Sequence, residues 1–271
     1  MAAFPLMLPG TSRPPKLVVF DLDHTLIACD ATILWTEFLY EKKIVTDPIW
    51  RQYDRDMVKS YAKGVLDIRD FCRKHAGAFR SIPEEKLHAL AQEFAKKKIA
   101  PLIFPDGKKW AKNALQANIP ACVLSASAAF IVKPIAKLFG LTDAMGIELA
   151  FKDGFCTGEI VGIPTFQEGK VERLSERLAE AGIDFEDVLF FTDSRNDLPL
   201  AERAGYTVCV NPDAVLESAA RKNGWKVAEW KLSLRTQMTA QVDAKGVQKL
   251  RPCEAKVPRL HLIAGSVPAF E

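Results

Sequence analysis

The chain has 271 residues, 48% of them hydrophobic, and its 37 basic and 34 acidic side chains give a formal net charge of +3. This composition excludes a disordered chain and lies far from the balance of a dedicated nucleic-acid binder, and no apolar stretch approaches the roughly 20 residues of a membrane span. Six scattered cysteines (Cys29, Cys72, Cys122, Cys156, Cys209, Cys253) without a CxxC pair, and a proline-broken N-terminus with no basic leader, predict a cytoplasmic protein without a signal peptide.

In chain order, Leu17, Val18, Val19 and Phe20 form a wholly apolar run that stops at Asp21 and is followed by Asp23 and Thr25. Such a run predicts a buried strand of a parallel sheet, and two acids at its exit stand where open α/β sheets bind ligands. Desolvating them then serves chemistry: a nucleophilic aspartate with an acid/base two residues on. Residues 31–104 carry helical patterns only. ATILWTEFLYEKK places Ile33, Leu34 and Phe38 on one face, DPIWRQYDRDMVKSYAKG opens with Asp47 as a cap and Pro48 at the first helical position, and two further helices follow. Trp35, Phe38 and Trp50 read as the core of this bundle, and Lys96, Lys97 and Lys98 as a solvated last turn.

From about residue 105 the pattern becomes strand–helix–strand. Pro105–Asn118 predicts a helix, IPACVL a strand ending at Ser125, Ala128–Phe139 a helix closed by Gly140, and LAFKDGFCTGEIVG a hairpin turning at Asp153-Gly154. A helix over Gly169–Ala181, the strands DVLFF and AGYTVCV, and a helix to Asn223 complete the alternation. The expected fold is α/β, a doubly wound Rossmann-like parallel sheet over 16–30 and 105–230, with 31–104 inserted as a helical-bundle cap and 231–271 as a C-terminal extension with a basic excess.

Three apolar strands thus end in Asp21, Ser125 and Asp193, which a parallel sheet brings to one edge. Lys170, at a helix start, and the acidic pair Asp193 and Asp197 complete an inventory for phosphoryl transfer: a nucleophile, a hydroxyl, a cation, and hard oxygen ligands suited to Mg²⁺. Taken singly, Ser125, Ser127 and Asp193 would also serve as helix caps, Asp23 as a turn acid and Asp197 as a first-turn acid.

FDLDHTL, LSAS, the GK of FQEGK and FTDSRNDLPL, in that order, resemble the four motifs of the haloacid dehalogenase (HAD) superfamily, and the helical insertion after the first resembles its phosphoserine-phosphatase-like subfamily. The resemblance covers about residues 16–230. It implies Asp21 as nucleophile forming an aspartyl-phosphate and Asp23 as acid/base, with Thr25, Ser125, Ala126 and Lys170 holding phosphate. Mg²⁺ would be held by Asp21, the backbone carbonyl of Asp23 and Asp193, with Asp197 positioning the metal site or Lys170. Asp23 favours a phosphatase over a dehalogenase, since halide leaves without a proton. Ser125-Ala126-Ser127 departs from the glycines usual in phosphoserine phosphatases, and Asp30 falls where those enzymes place a substrate-binding glutamate; Arg195 and Asn196 stand at the mouth or on the surface. A small phosphorylated metabolite, phosphoserine- or histidinol-phosphate-like, is the expected partner. The alternatives are a lipid phosphatase using the basic tail at a membrane surface and a non-catalytic Mg²⁺- or phosphate-binding regulatory domain.

Overall fold

The computed structural model describes residues 13–232, so the N-terminal stretch and nearly all of the basic C-terminal extension, with Cys253, lie outside the described residues. The chain opens with β1 (Leu17–Phe20), followed by helices α1 (Ala31–Glu41), α2 (Ile49–Lys63), α3 (Ile68–His75), α4 (Glu84–Phe94) and α5 (Pro105–Gln116). Then come β2 (Ala121–Ala128), α6 (Ala129–Ala136), β3 (Asp143–Ile147), the hairpin β4 (Leu149–Lys152) and β5 (Phe155–Ile160), and α7 (Glu168–Ala181). The last elements are β6 (Val188–Thr192), α8 (Leu198–Ala201), β7 (Tyr206–Val210), α9 (Ala214–Asn223) and β8 (Lys226–Ala228).

Six strands form one sheet in the order β3-β2-β1-β6-β7-β8, and every pairing in it is parallel. The expected doubly wound sheet is therefore present. From β1 the chain winds out one way through β2 and β3 and the other way through β6, β7 and β8, so the strand order reverses at β1 and opens a crevice at its carboxyl end. Alternate β1 side chains serve opposite layers: Leu17 and Val19 pack with Leu174 and Leu178 of α7, while Val18 and Phe20 join the core shared with α5 and α6. Phe20 stacks on Phe191 with ring centroids 4.9 Å apart, locking β1 to β6.

The helices between β1 and β2 share one continuous apolar core with the sheet. Trp35 of α1 is fully buried and meets Phe94 of α4 and Phe130 of α6 edge-on at 5.4 and 5.5 Å. Trp35 and Phe38 are core, as expected, whereas Trp50 is only half-buried. Pro48 is the cap position of α2 rather than its first residue, although Asp47 Oδ1 still accepts from Ile49 N–H at 2.9 Å. The three lysines after α4 lie in a π turn over Ala95–Ile99, where Lys97 reaches back to Glu93 at 2.8 Å.

Two strands escape the sequence pattern. β3 has a polar start at Asp143 and carries Gly146, where a Cβ would stand 2.7 Å from the Ser127 carbonyl oxygen; this close approach requires the glycine and erases the β-rich signature. β8 is three residues long, with Lys226 and Val227 exposed. The end of the described chain is anchored: Trp230 is 6% exposed, packs on Phe191 at 5.8 Å, and its N–H donates to Asn211 Oδ1.

Candidate active site

The strand exits converge as the topology requires. β1 runs through Asp21, whose N–H still donates to the Phe191 carbonyl at 2.9 Å, and then breaks into a tight loop turning at His24 (φ 56°), an exposed residue. Asp21 is 6% exposed, and its Oδ1 accepts from Lys170 Nζ at 2.7 Å. The same ammonium donates to Asp197 Oδ2 at 2.8 Å, and that oxygen also accepts from Thr192 Oγ1 at 2.7 Å. Lys170 is 1% exposed. Burial works against its charge, but Asp197 and Asp21 more than offset this and hold it protonated. Its position depends on Gly169, where a Cβ would meet the Pro164 carbonyl oxygen at 1.9 Å: only glycine lets α7 start this close to the preceding loop.

Asp23 keeps different company. Its Oδ1 accepts from the Ala31 N–H at 2.6 Å, and its Oδ2 from Ser127 Oγ at 2.9 Å and Ser125 Oγ at 3.2 Å. These two serines do not cap α6, whose cap position is Ala128, without a side-chain bond. β2 instead runs on through Ser125 to Ala128, carrying both hydroxyls to Asp23, and Ala126 borders the adjoining cavity.

Burial is the first cause of the shifts at both acids. It pushes Asp21 up to about 7 against the pull of Lys170, with Asp197 and Asp23 adding to the rise, and it lifts Asp23 to about 6, aided by Asp30 and opposed by the hydrogen bonds from Ala31 and Ser127. Asp193 is held well above the ordinary carboxylate range by burial and by repulsion from Asp21 and Asp197. Its Oδ1 accepts from Thr25 Oγ1 at 3.2 Å. Among the described residues, Lys170 is the cation hydrogen-bonded within this group of Asp21, Asp193 and Asp197, and it bonds the first and the last. The deficit of positive charge and the hard oxygen donors fit a small divalent cation. Among the described residues no three acidic, histidine or cysteine side chains enclose one point as a metal cage.

The remaining predicted residues are placed apart from these. Asp30 caps α1, its Oδ1 accepting from Ile33 N–H at 3.0 Å. Asn196 is 3% exposed and so is not a surface residue: its Nδ2 donates to the Tyr61 carbonyl at the end of α2, and its Oδ1 accepts from Gln167, which also reaches the Gly64 carbonyl. Arg195 is half-buried, its N–H on Asp213 Oδ2. Sequence reasoning missed Thr192, Gln167 and Tyr61. Thr192 is signalled only as the last residue of its strand; Gln167 (φ 50°) and Tyr61 carry no local signal, because their partners lie more than a hundred residues away or on another helix.

A doubly wound sheet whose first strand ends in two carboxylates, one of them on a buried lysine, with helices inserted behind that strand, is the architecture of a dehalogenase-like hydrolase. The chain belongs to that family: the model of haloacid dehalogenase-like hydrolases matches residues 18–202. It is 35% identical to a protein of Neisseria meningitidis named histidinol-phosphatase, over 80% of this chain and 99% of the relative. It is also 27% identical to a phosphoserine phosphatase of Mycobacterium tuberculosis, over 84% of this chain and 77% of the relative. Among solved structures, a Bordetella pertussis protein of unknown function matches with TM-score 0.71 and 31% identity, covering 78% of this chain and 96% of its own. A phosphoserine phosphatase bearing an analogue of its phospho-aspartyl intermediate matches with TM-score 0.60 and 21% identity, covering 84% of this chain and 99% of its own, which bears on the fold.

Proposed function

We propose that the chain is a Mg²⁺-dependent phosphomonoesterase in which Asp21 attacks phosphorus and Asp23 carries the proton, acting on a small phosphorylated metabolite of the histidinol-phosphate or phosphoserine kind. The reading is carried by the different company of two carboxylates two residues apart: an ammonium on Asp21, two hydroxyls and an N–H on Asp23. Lys170 fixes one Asp21 oxygen and, with Thr25, Ser125 and Ala126 nearby, presents the phosphoryl-binding side. Asp21 forms the aspartyl-phosphate as the ester oxygen departs. Asp23, poised near 6 and hydrogen-bonded in place, protonates that oxygen and then takes a proton from the attacking water. Asp21, the carbonyl of Asp23 and Asp193 would hold Mg²⁺, with Asp197 steadying Lys170; the ion supplies charge neutralisation for the phosphoryl oxygens and for the ionised Asp21. A regulatory domain that merely holds phosphate has no need of Asp23 in this setting. In the same reading, 31–104 caps a core of 16–30 and 105–230, with α2 tied over the site by Asn196 and Gln167, and the free, mostly buried cysteines suit a cytoplasmic setting.

The experiment is phosphate release from histidinol phosphate, phosphoserine and an aryl phosphate, with and without Mg²⁺. Metal-dependent release is expected, with histidinol phosphate preferred in line with the 35% identical relative; no release from any ester in the presence of Mg²⁺ overturns the reading.

The metal has a second signature. With folded-state pKa values raised to about 7 and about 6, Asp21 and Asp23 favour folding fully only below the ordinary carboxylate range, and that contribution fades as pH rises from about 4 through 6–7. At about pH 7.5 both are ionised and repel, and a bound cation offsets the penalty. Mg²⁺ at a hundredfold excess over its Kd is expected to raise the unfolding midpoint by about 5–10 °C at that pH, and by less than half as much near pH 5.5. Equal increments at both pH values would place the ion elsewhere.

A further inference from the structure

Beside Asp23, away from Lys170, a second buried polar cluster takes no part in the chemistry described above. α1 carries Thr32 and Thr36 one turn apart, both buried. Thr32 Oγ1 lies 3.1 Å from the Ser127 hydroxyl that donates to Asp23. Thr36 Oγ1 lies 3.0 Å from His75 Nε2 of α3, and Asp54 Oδ1 of α2 stands 3.7 Å from that same nitrogen. A line of polar groups therefore leads from the proton carrier into the space enclosed by α1, α2 and α3. Phe71 stacks on the His75 ring at 5.1 Å and Phe79 meets it edge-on at 5.5 Å; with Thr32 and Ala126 these rings border a narrow cavity.

The cluster is short of positive charge. Asp54 is 4% exposed, its Oδ1 accepts no hydrogen bond, and among the described residues its ion-pair partner is His75 alone. Burial lowers His75 to about 4, so the ring is neutral at neutral pH and supplies no cation. Burial raises Asp54 to about 7 against a hydrogen bond from Thr36 and the charge of Arg55, and Asp30 and Glu37 add to the rise. Asp30 also acts on Asp23, so the electrostatic influence of these acids extends from the catalytic loop to Asp54. A buried carboxylate with an unsatisfied oxygen must either hold a proton or meet a cation.

We infer that Asp54, backed by His75 and Thr36, is the group that selects the leaving alcohol: it receives a protonated amine of the substrate. The substrate class is then phosphate esters whose alcohol carries a free amine. This rests on the phosphomonoesterase reading of Asp21 and Asp23 and adds to it which ester is used. Histidinol phosphate, which has a free amine and an imidazole, is of the favoured class, and its aromatic ring suits the rings around His75.

The test compares kcat/KM of the full chain, with Mg²⁺, for histidinol phosphate, its N-acetyl derivative and phosphoserine, in the wild type and in Asp54→Asn, with an aryl phosphate reporting that each protein is folded and competent. The wild type is expected to prefer histidinol phosphate over its N-acetyl derivative by at least about 30-fold. Asp54→Asn is expected to lower that ratio by at least about tenfold, through KM rather than kcat. A wild type that turns over the N-acetyl derivative as well as histidinol phosphate overturns the inference without any variant. Preference unchanged in Asp54→Asn overturns it for Asp54. If no ester is hydrolysed at all, aryl phosphate included, the phosphomonoesterase reading has failed and the inference falls with it.

Discussion

Asp21→Asn is expected to lower phosphate release by on the order of 10⁴-fold or more with every ester, aryl phosphate included, because the amide has no charged oxygen with which to attack phosphorus. A loss of that size is about 5.5 kcal/mol of transition-state stabilisation, far beyond a misplaced hydrogen bond. The fold should survive. Burial outweighs the attraction of Lys170 at Asp21, so the native carboxylate is a cost to the metal-free protein near neutral pH, and Lys170 keeps its second partner, Asp197, at 2.8 Å. The metal-free unfolding midpoint of Asp21→Asn should therefore equal or exceed that of the wild type. Activity within tenfold of wild type would remove Asp21 from the role of nucleophile.

Asp23→Asn separates the two halves of the reaction. An alkyl ester needs a proton on its departing oxygen, so with histidinol phosphate or phosphoserine the expected loss is about 10²–10⁴-fold. An aryl oxide leaves without help, so the first step proceeds while the second, which needs a base for water, stalls. With aryl phosphate the variant should therefore release one burst of the aryl product per enzyme and then turn over slowly. An asparagine whose carbonyl oxygen keeps the Ala31 N–H turns its amide N–H₂ toward Ser125 and Ser127, whose hydroxyls can accept as well as donate, so the loop keeps its hydrogen bonds. Steady-state rates equal to wild type for alkyl and aryl esters alike would exclude Asp23 as proton carrier.

Much of this site is legible in the sequence because a buried parallel strand announces itself. LVVF, IPACVL and DVLFF are apolar without alternation, and the residues at their ends must meet at one edge, which is how Asp21, Ser125 and Asp193 come together. Lys170 is foreshadowed by the glycine before it, although its two carboxylate partners are not. Ser127 shows the limit: a serine ahead of a helix reads as a cap, and the extra residues of β2 that turn it toward Asp23 follow from pairing with β3, a strand hidden by Asp143 and Gly146. The Asn196–Tyr61 bond and the Asp54–His75–Thr36 cluster were illegible for another reason. Helical periodicity shows which residues share a face but not which helices face each other, and these contacts join α1, α2 and α3 to one another or to the loop after β6.

The most direct measurement is an acid quench of Asp23→Asn within the burst, using aryl phosphate labelled in the phosphoryl group, followed by peptide mapping of the denatured protein. The aspartyl-phosphate account predicts label on the peptide that contains Asp21, and none on that peptide when Asp21→Asn is introduced as well. Label on another residue, Ser125 or His24 among them, or no protein-bound label during a burst of aryl product, would contradict it.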